Sequence, residues 1–138
     1  MANRTSSARW QGTLKEGNGT MALGSGAFEG AYSFGTRFGD DAGTNPEELI
    51  AAAHAGCFSM KFSGVLGENG YTPDSIETTA TITFKPGVGI TTSALTMSAR
   101  IPGISEDDFQ KLARQAKETC PVSEALKAIE VTLDATLV

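Results

Sequence analysis

The sequence predicts an α+β domain: a largely antiparallel sheet with two main helices packed on it, the first central and buried. Three observations carry this. Strands with apolar/polar alternation come in hairpin-like groups, not each followed by its own helix. Two long helical segments stand among them, each opened by a capping residue. The 138 residues suit one domain, residues 1–138, with no internal repeat and no linker.

Ala8, Trp10, Gly12 and Leu14 alternate with Arg9, Gln11 and Thr13, the pattern of a half-buried strand. Gly17-Asn-Gly19 turns the chain into a second strand over 20–23. Residues 24–41 are Gly-rich and irregular, with a short strand near Ala31–Phe34, and a loop of that length is often functional. Asn45 is an N-cap, Pro46 fits the first helical position and Glu48 the capping-box position. The helix runs to about Leu66 and ends at Gly67–Gly70. It is apolar almost all round (Leu49, Ile50, Ala51, Phe58, Phe62, Val65), so burial on all sides is expected.

A hairpin follows. Ile76, Thr78, Ala80, Ile82 and Phe84 share one face, Pro86-Gly-Val-Gly89 turns, and the return strand over 90–101 places Leu95, Met97, Ala99 and Ile101 together. Ser105 and Asp108 form a second capping box, opening a helix to about Thr119. Its stripe of Phe109, Leu112, Ala113 and Ala116 continues onto Cys120. Pro121 ends it, a short helical turn spans 122–127, and alternation over 129–137 gives a last strand.

The 11 basic and 16 acidic residues leave a net charge of −5. That argues against nucleic acid and anionic membrane surfaces as partners, since both need clustered positive charge. No apolar run reaches the ~18 residues of a membrane span, and the first helix is expected to be too short and too interrupted by His54 and Lys61 to cross a membrane. The opening MANRTSSARWQG lacks the apolar stretch of a secretory signal, and the expectation is a cytoplasmic domain.

Cys57 and Cys120 admit three readings: two inert buried thiols, a structural disulfide, or a convertible pair. A permanent bridge is unexpected in a reducing compartment. His54 and Cys57, three apart on a helix, reach at most three ligands with Cys120, short of a structural zinc site. Both cysteines point inward and meet if the two helices pack on one side of the sheet. A reactive thiolate then needs a positive neighbour to offset burial. Arg37, between Phe34 and Phe38 in the Gly-rich segment, is the candidate, although a lone loop arginine is ordinarily solvated.

Several segments together resemble the OsmC/Ohr family of hydroperoxide reductases: Thr36-Arg37-Phe38, Gly43-Thr-Asn-Pro-Glu-Glu-Leu-Ile50, Ala52-Ala-His-Ala-Gly-Cys-Phe-Ser-Met60 and Cys120-Pro-Val-Ser123. Arg9-Trp-Gln-Gly12 and the closing strand fit as well, so the resemblance covers nearly the whole chain. His54, Phe58-Ser-Met60 and Val122 resemble the osmotically inducible OsmC branch more than the organic-hydroperoxide-resistance (Ohr) branch.

The resemblance implies an OsmC-like fold, an intertwined homodimer and a thiol peroxidase. It makes Cys57 the attacking thiolate and Cys120 the resolving thiol. Arg37 lowers the Cys57 pKa and orients the peroxide, and Glu47 holds Arg37 through a salt bridge. A dithiol then reduces the disulfide; relatives use dihydrolipoyl groups on lipoylated proteins. No haem, flavin or metal is implied. A pocket of Phe34, Phe38, Phe58 and Met60 leans towards organic hydroperoxides over hydrogen peroxide. The alternative is a redox sensor or small-molecule binder on the same fold.

Helix geometry bears on the glutamate. At ~100° per residue Glu48 lies opposite Cys57 and Glu47 about 80° away. Ten residues of helix also span about 15 Å, so Glu47 is too far along to sit beside its own Cys57, and a second chain is the better source. The small residues of 51–56 suit such a helix contact. With Arg37 beside it, the Cys57 thiol is expected below the ordinary value of about 8.5.

Overall fold

The computed structural model describes the whole chain, Met1–Val138. Its elements are β1 (Ser6–Gln11), β2 (Asn18–Leu23), β3 (Glu29–Ser33), α1 (Phe34–Phe38), α2 (Pro46–Glu68), β4 (Ser75–Lys85), β5 (Gly89–Arg100), α3 (Glu106–Thr119), α4 (Pro121–Ala125) and β6 (Glu130–Leu137). Two compact units divide the chain, Met1–Leu49 and Ile50–Val138. The fold is α+β. The strands form two three-stranded sheets, β1-β2-β3 and β4-β5-β6, where one sheet was expected.

The first unit is an antiparallel meander with β2 in the middle. Gly19 pairs with Trp10 on one side and Tyr32 on the other. Those rings lie 5.3 Å apart, and a Cβ at Gly19 would come within 2.6 Å of the Tyr32 ring and 2.9 Å of Trp10. Only glycine leaves room for the ring pair. Every residue of β1 is exposed, although the alternation predicts a half-buried strand: the apolar face is present, but uncovered in the single chain.

The segment expected to be irregular contains α1. Ser33 Oγ accepts from the Thr36 N–H at 3.2 Å, and the Ser33 N–H donates to Thr36 Oγ1 at 2.8 Å, a reciprocal cap. Asn45 caps α2 as expected: its Oδ1 accepts from the Glu48 N–H at 2.8 Å, and its Nδ2 donates to the Thr36 carbonyl at 3.0 Å. The Glu48 carboxylate takes the Thr44 hydroxyl at 2.7 Å.

In the second unit β4 and β5 form the expected hairpin, with a register shift at Thr83/Phe84. β6 pairs with β5 in parallel, the one parallel pairing in a largely antiparallel fold. Parallel neighbours need a crossover, and α3 and α4 supply it; the other three pairings are antiparallel. Inward residues of β5 (Leu95, Met97, Ala99), of α3 (Phe109, Leu112, Ala113, Ala116) and of α2 (Phe58, Phe62, Val65, Leu66) make the core. Phe62 stacks on Phe58 at 6.0 Å and meets the Phe109 ring edge-on at 5.8 Å. Burying each such ring is worth about 2–3 kcal/mol.

α2 departs from expectation twice. At 23 residues, with a mean hydropathy of 1.3 over its most apolar 18-residue window, it is long and apolar enough to cross a membrane. His54 and Lys61 interrupt the run without lowering that average enough. It is also buried on one side only: 28% of that window is buried, while Ala52, Gly56, Met60 and Gly64 are exposed.

Candidate active site

Cys57 is half-buried on α2, and Cys120 is fully buried at the α3–α4 junction; both are free thiols. Cys120 has φ −64° and ψ 123°, the extended conformation imposed on a residue before proline. That turn ends α3 and places the Cys120 thiol near enough to Cys57 to raise its pKa. The structure thus brings the two sequence-identified cysteines together.

Burial pushes the Cys57 thiol above its ordinary value. The Val122 main-chain N–H, directed at the sulfur, pulls it down; Cys120 raises it further, and the Lys61 charge opposes the rise. The net direction is the reverse of the sequence expectation, because in the single chain desolvation outweighs the donors. Sequence reasoning named neither Val122 N–H nor Lys61 as neighbours. Lys61 was findable, one helical turn beyond Cys57. Val122 is the second residue of α4, where main-chain N–H groups lack helical partners.

His54, one turn before Cys57, is fully buried. Its Nδ1 lies 2.6 Å from Ser93 Oγ and its Nε2 lies 2.8 Å from Ser123 Oγ. A neutral imidazole can donate from one nitrogen and accept at the other, and burial holds the pKa below the usual histidine value. No group of three or more His, Cys, Asp or Glu side chains converges on a metal-sized site.

In the first unit Arg37 and Glu47 form a forked pair. Arg37 Nε donates to both carboxylate oxygens at 3.1 and 3.2 Å, and one terminal nitrogen donates to Oε1 at 2.7 Å. The Glu47 side chain is only 12% exposed and Arg37 34%. The carboxylate raises the Arg37 pKa further above its usual value, so its charge is permanent. The guanidinium carbon lies 5.2 Å from the centre of the Phe38 ring, and Phe38 stands 4.9 Å from Phe34. Phe34, Arg37 and Phe38 line a cleft of about 240 Å³ with Trp10, Leu14 and Tyr32.

The other two expected pocket residues behave differently. Phe58 is 0% exposed within the core, where α2 turns it inward with Phe62. Met60 is 80% exposed.

Residues 39–134 match the family model described as OsmC-like protein. The chain belongs to the OsmC-like protein family. Among OsmC relatives it is 49% identical over 131 residues to Peroxiredoxin OsmC of Escherichia coli K12, covering 92% of this chain and 91% of that protein. It is 33% identical over 100 residues to the organic hydroperoxide resistance protein-like 1 of Staphylococcus saprophyticus, covering 70% and 71%. The crystal structure of an organic hydroperoxide resistance protein from Elizabethkingia anophelis matches at a TM-score of 0.72 and 26% identity, covering 99% of each chain. The α+β architecture is that of the OsmC/Ohr structures.

Proposed function

We propose that this OsmC-family chain reduces organic hydroperoxides through a Cys57 sulfenic acid and a Cys57–Cys120 disulfide. A cysteine-based, thiol-dependent peroxidase is the activity that its likeness to peroxiredoxin OsmC and the hydroperoxide resistance proteins supports. The observation carrying the mechanism is the close approach of the Cys57 and Cys120 thiols.

The Cys57 thiolate attacks the distal peroxide oxygen, the O–O bond breaks, and the departing alkoxide takes a proton to leave as alcohol. Cys57 is then a sulfenic acid. The Cys120 sulfur attacks it, water departs and the disulfide forms. An external dithiol reduces the disulfide and is itself oxidised; a lipoylated protein fits this chemistry. A convertible pair of this kind belongs in a reducing compartment, and the cytoplasm is the proposed location.

We place the Arg37–Glu47 pair of one copy beside Cys57 of another, in a homodimer of 138-residue domains. Support comes from the 15 Å or so of helix between Glu47 and its own Cys57 and from the apolar surface of α2 and β1 left uncovered in one chain. Arg37 then supplies the charge that burial at Cys57 demands, Phe34 and Phe38 offer apolar surface to the organic group, and Met60 lies on the exposed helix face.

The test is steady-state consumption of an organic hydroperoxide with dihydrolipoamide, against a monothiol. Sustained turnover with the dithiol, a loss of two hydrogens by mass after one equivalent of peroxide, and no activity in Cys57→Ser support the mechanism. A single turnover per chain marks a sensor instead, and equal turnover in Cys57→Ser removes Cys57 from the chemistry.

A further inference from the structure

His54 is the chain's one histidine, and its two bonds join three elements of the second unit: α2, β5 through Ser93 and α4 through Ser123. Ser93 is buried on the same face of β5 as Leu95, Met97 and Ala99. A hydroxyl there costs free energy unless bonded, and His54 is the partner it finds. The ring is fully buried and both nitrogens are engaged, so it is not free to ligate or to move a proton to substrate.

α4 is five residues long, and its N-cap residue Cys120 makes no side-chain cap bond. A helix that short does not hold itself by its own ladder; tertiary contacts must fix it. Ser123 is one such contact, and it adjoins Val122, whose N–H is directed at the Cys57 sulfur. A donor at that place favours the anionic sulfur over the neutral thiol.

We infer that His54 is a positioning residue for Cys57: its bond to Ser123 fixes α4 so that the Val122 N–H stays directed at the Cys57 sulfur, while Ser93 fixes the ring. This rests on the proposed role of Cys57 as the attacking thiol. The device is a clamp on a main-chain donor, built from one side chain of each of three elements.

The experiment uses Cys120→Ser protein, so that only the first step is seen. Thiolate absorbance near 240 nm is titrated, and sulfenic acid formation with tert-butyl hydroperoxide is followed across pH. Ser123→Ala is expected to raise the midpoint by about one pH unit and to slow the reaction about tenfold at pH values well below the midpoint, with the high-pH limit little changed. His54→Gln, whose amide can still reach Ser123, should fall between wild type and His54→Ala. Should His54→Ala not fold, Ser123→Ala removes one hydroxyl and keeps the test. A folded Ser123→Ala protein with an unmoved midpoint and unchanged rates overturns the inference, even if its Tm falls, since that is a purely structural role. Cys57→Ser runs alongside: if it consumes peroxide as before, the assignment of Cys57 fails, and the clamp fails with it for a separate reason.

Discussion

Replacing Arg37 by alanine should strip Cys57 of most of its reactivity at neutral pH. Within one chain, burial sets the direction at Cys57, and the Val122 N–H and Lys61 only partly offset it. An ordinary thiol with a pKa of about 8.5 is only about 3% thiolate at pH 7; a buried one is less. Lowering the midpoint by two pH units takes about 3 kcal/mol. A guanidinium about 5 Å away, at an effective dielectric of about 20, supplies about 3 kcal/mol, so one well-placed arginine suffices. Glu47 holds Arg37 with three short contacts and is itself mostly buried, which keeps the fork from swinging into solvent. The assay is thiolate absorbance near 240 nm against pH in Cys120→Ser, with and without Arg37→Ala. The expected midpoint moves up about two units, and Arg37→Lys recovers part of that, because an ammonium lacks the planar fork. Coincident curves would refute the reasoning and leave Arg37 as an ordinary paired surface residue.

Glu47→Gln should lower kcat/KM about tenfold by loosening Arg37, whereas Glu48→Gln, which only weakens a bond to Thr44, should leave kcat/KM within about twofold and cost about 1 kcal/mol in urea unfolding; equal kinetic losses would undo the distinction. His54, held below its usual value of about 6.5 by burial, takes up a proton more readily unfolded than folded, so its contribution is complete above about pH 6.5 and is lost as pH falls towards the folded value. Between pH 7.5 and 5.5 the wild type should therefore lose up to about 1.4 kcal/mol more than His54→Gln; parallel losses would contradict the buried neutral ring. Met60→Glu, placing charge on the exposed face of α2, should shift light scattering from dimer to monomer and abolish activity; an active monomer of 14.4 kDa would sink the dimer.

Local chemistry was legible where a residue type forces a geometry. Asn45 before Pro46, Ser105 before three acidic residues, and the Pro86–Gly89 turn each announced an element that the structure contains. α1 was not, because five residues hold no measurable period and its cap pairs Ser33 with Thr36 instead of a glutamate. Alternation shows that β1 has an apolar face but not what covers it, so its exposure in one chain could not be foreseen. At the site, the cysteines and the Arg37–Glu47 pair were visible as residue types. The His54 partners were not, since Ser93 and Ser123 are remote in sequence, and the Val122 donor is main chain, which every residue but proline possesses.

The parallel seating of β6 has a kinetic consequence. β4 and β5 meet across a turn of a few residues, a closure of the microsecond class. β6 can dock only after the chain has travelled out through α3 and α4, since Thr92 must find Glu130 and Ala99 must find Leu137. Such long-range pairing is the slow kind. The hairpin is thus the natural nucleus and β6 the late arrival. Lesions in the Pro86–Gly89 turn should slow refolding, while lesions in β6 such as Leu133→Ala should chiefly hasten unfolding. Until β6 docks, the far edge of β5 is an open template for another chain, so the interval before docking is when this protein is most prone to aggregate.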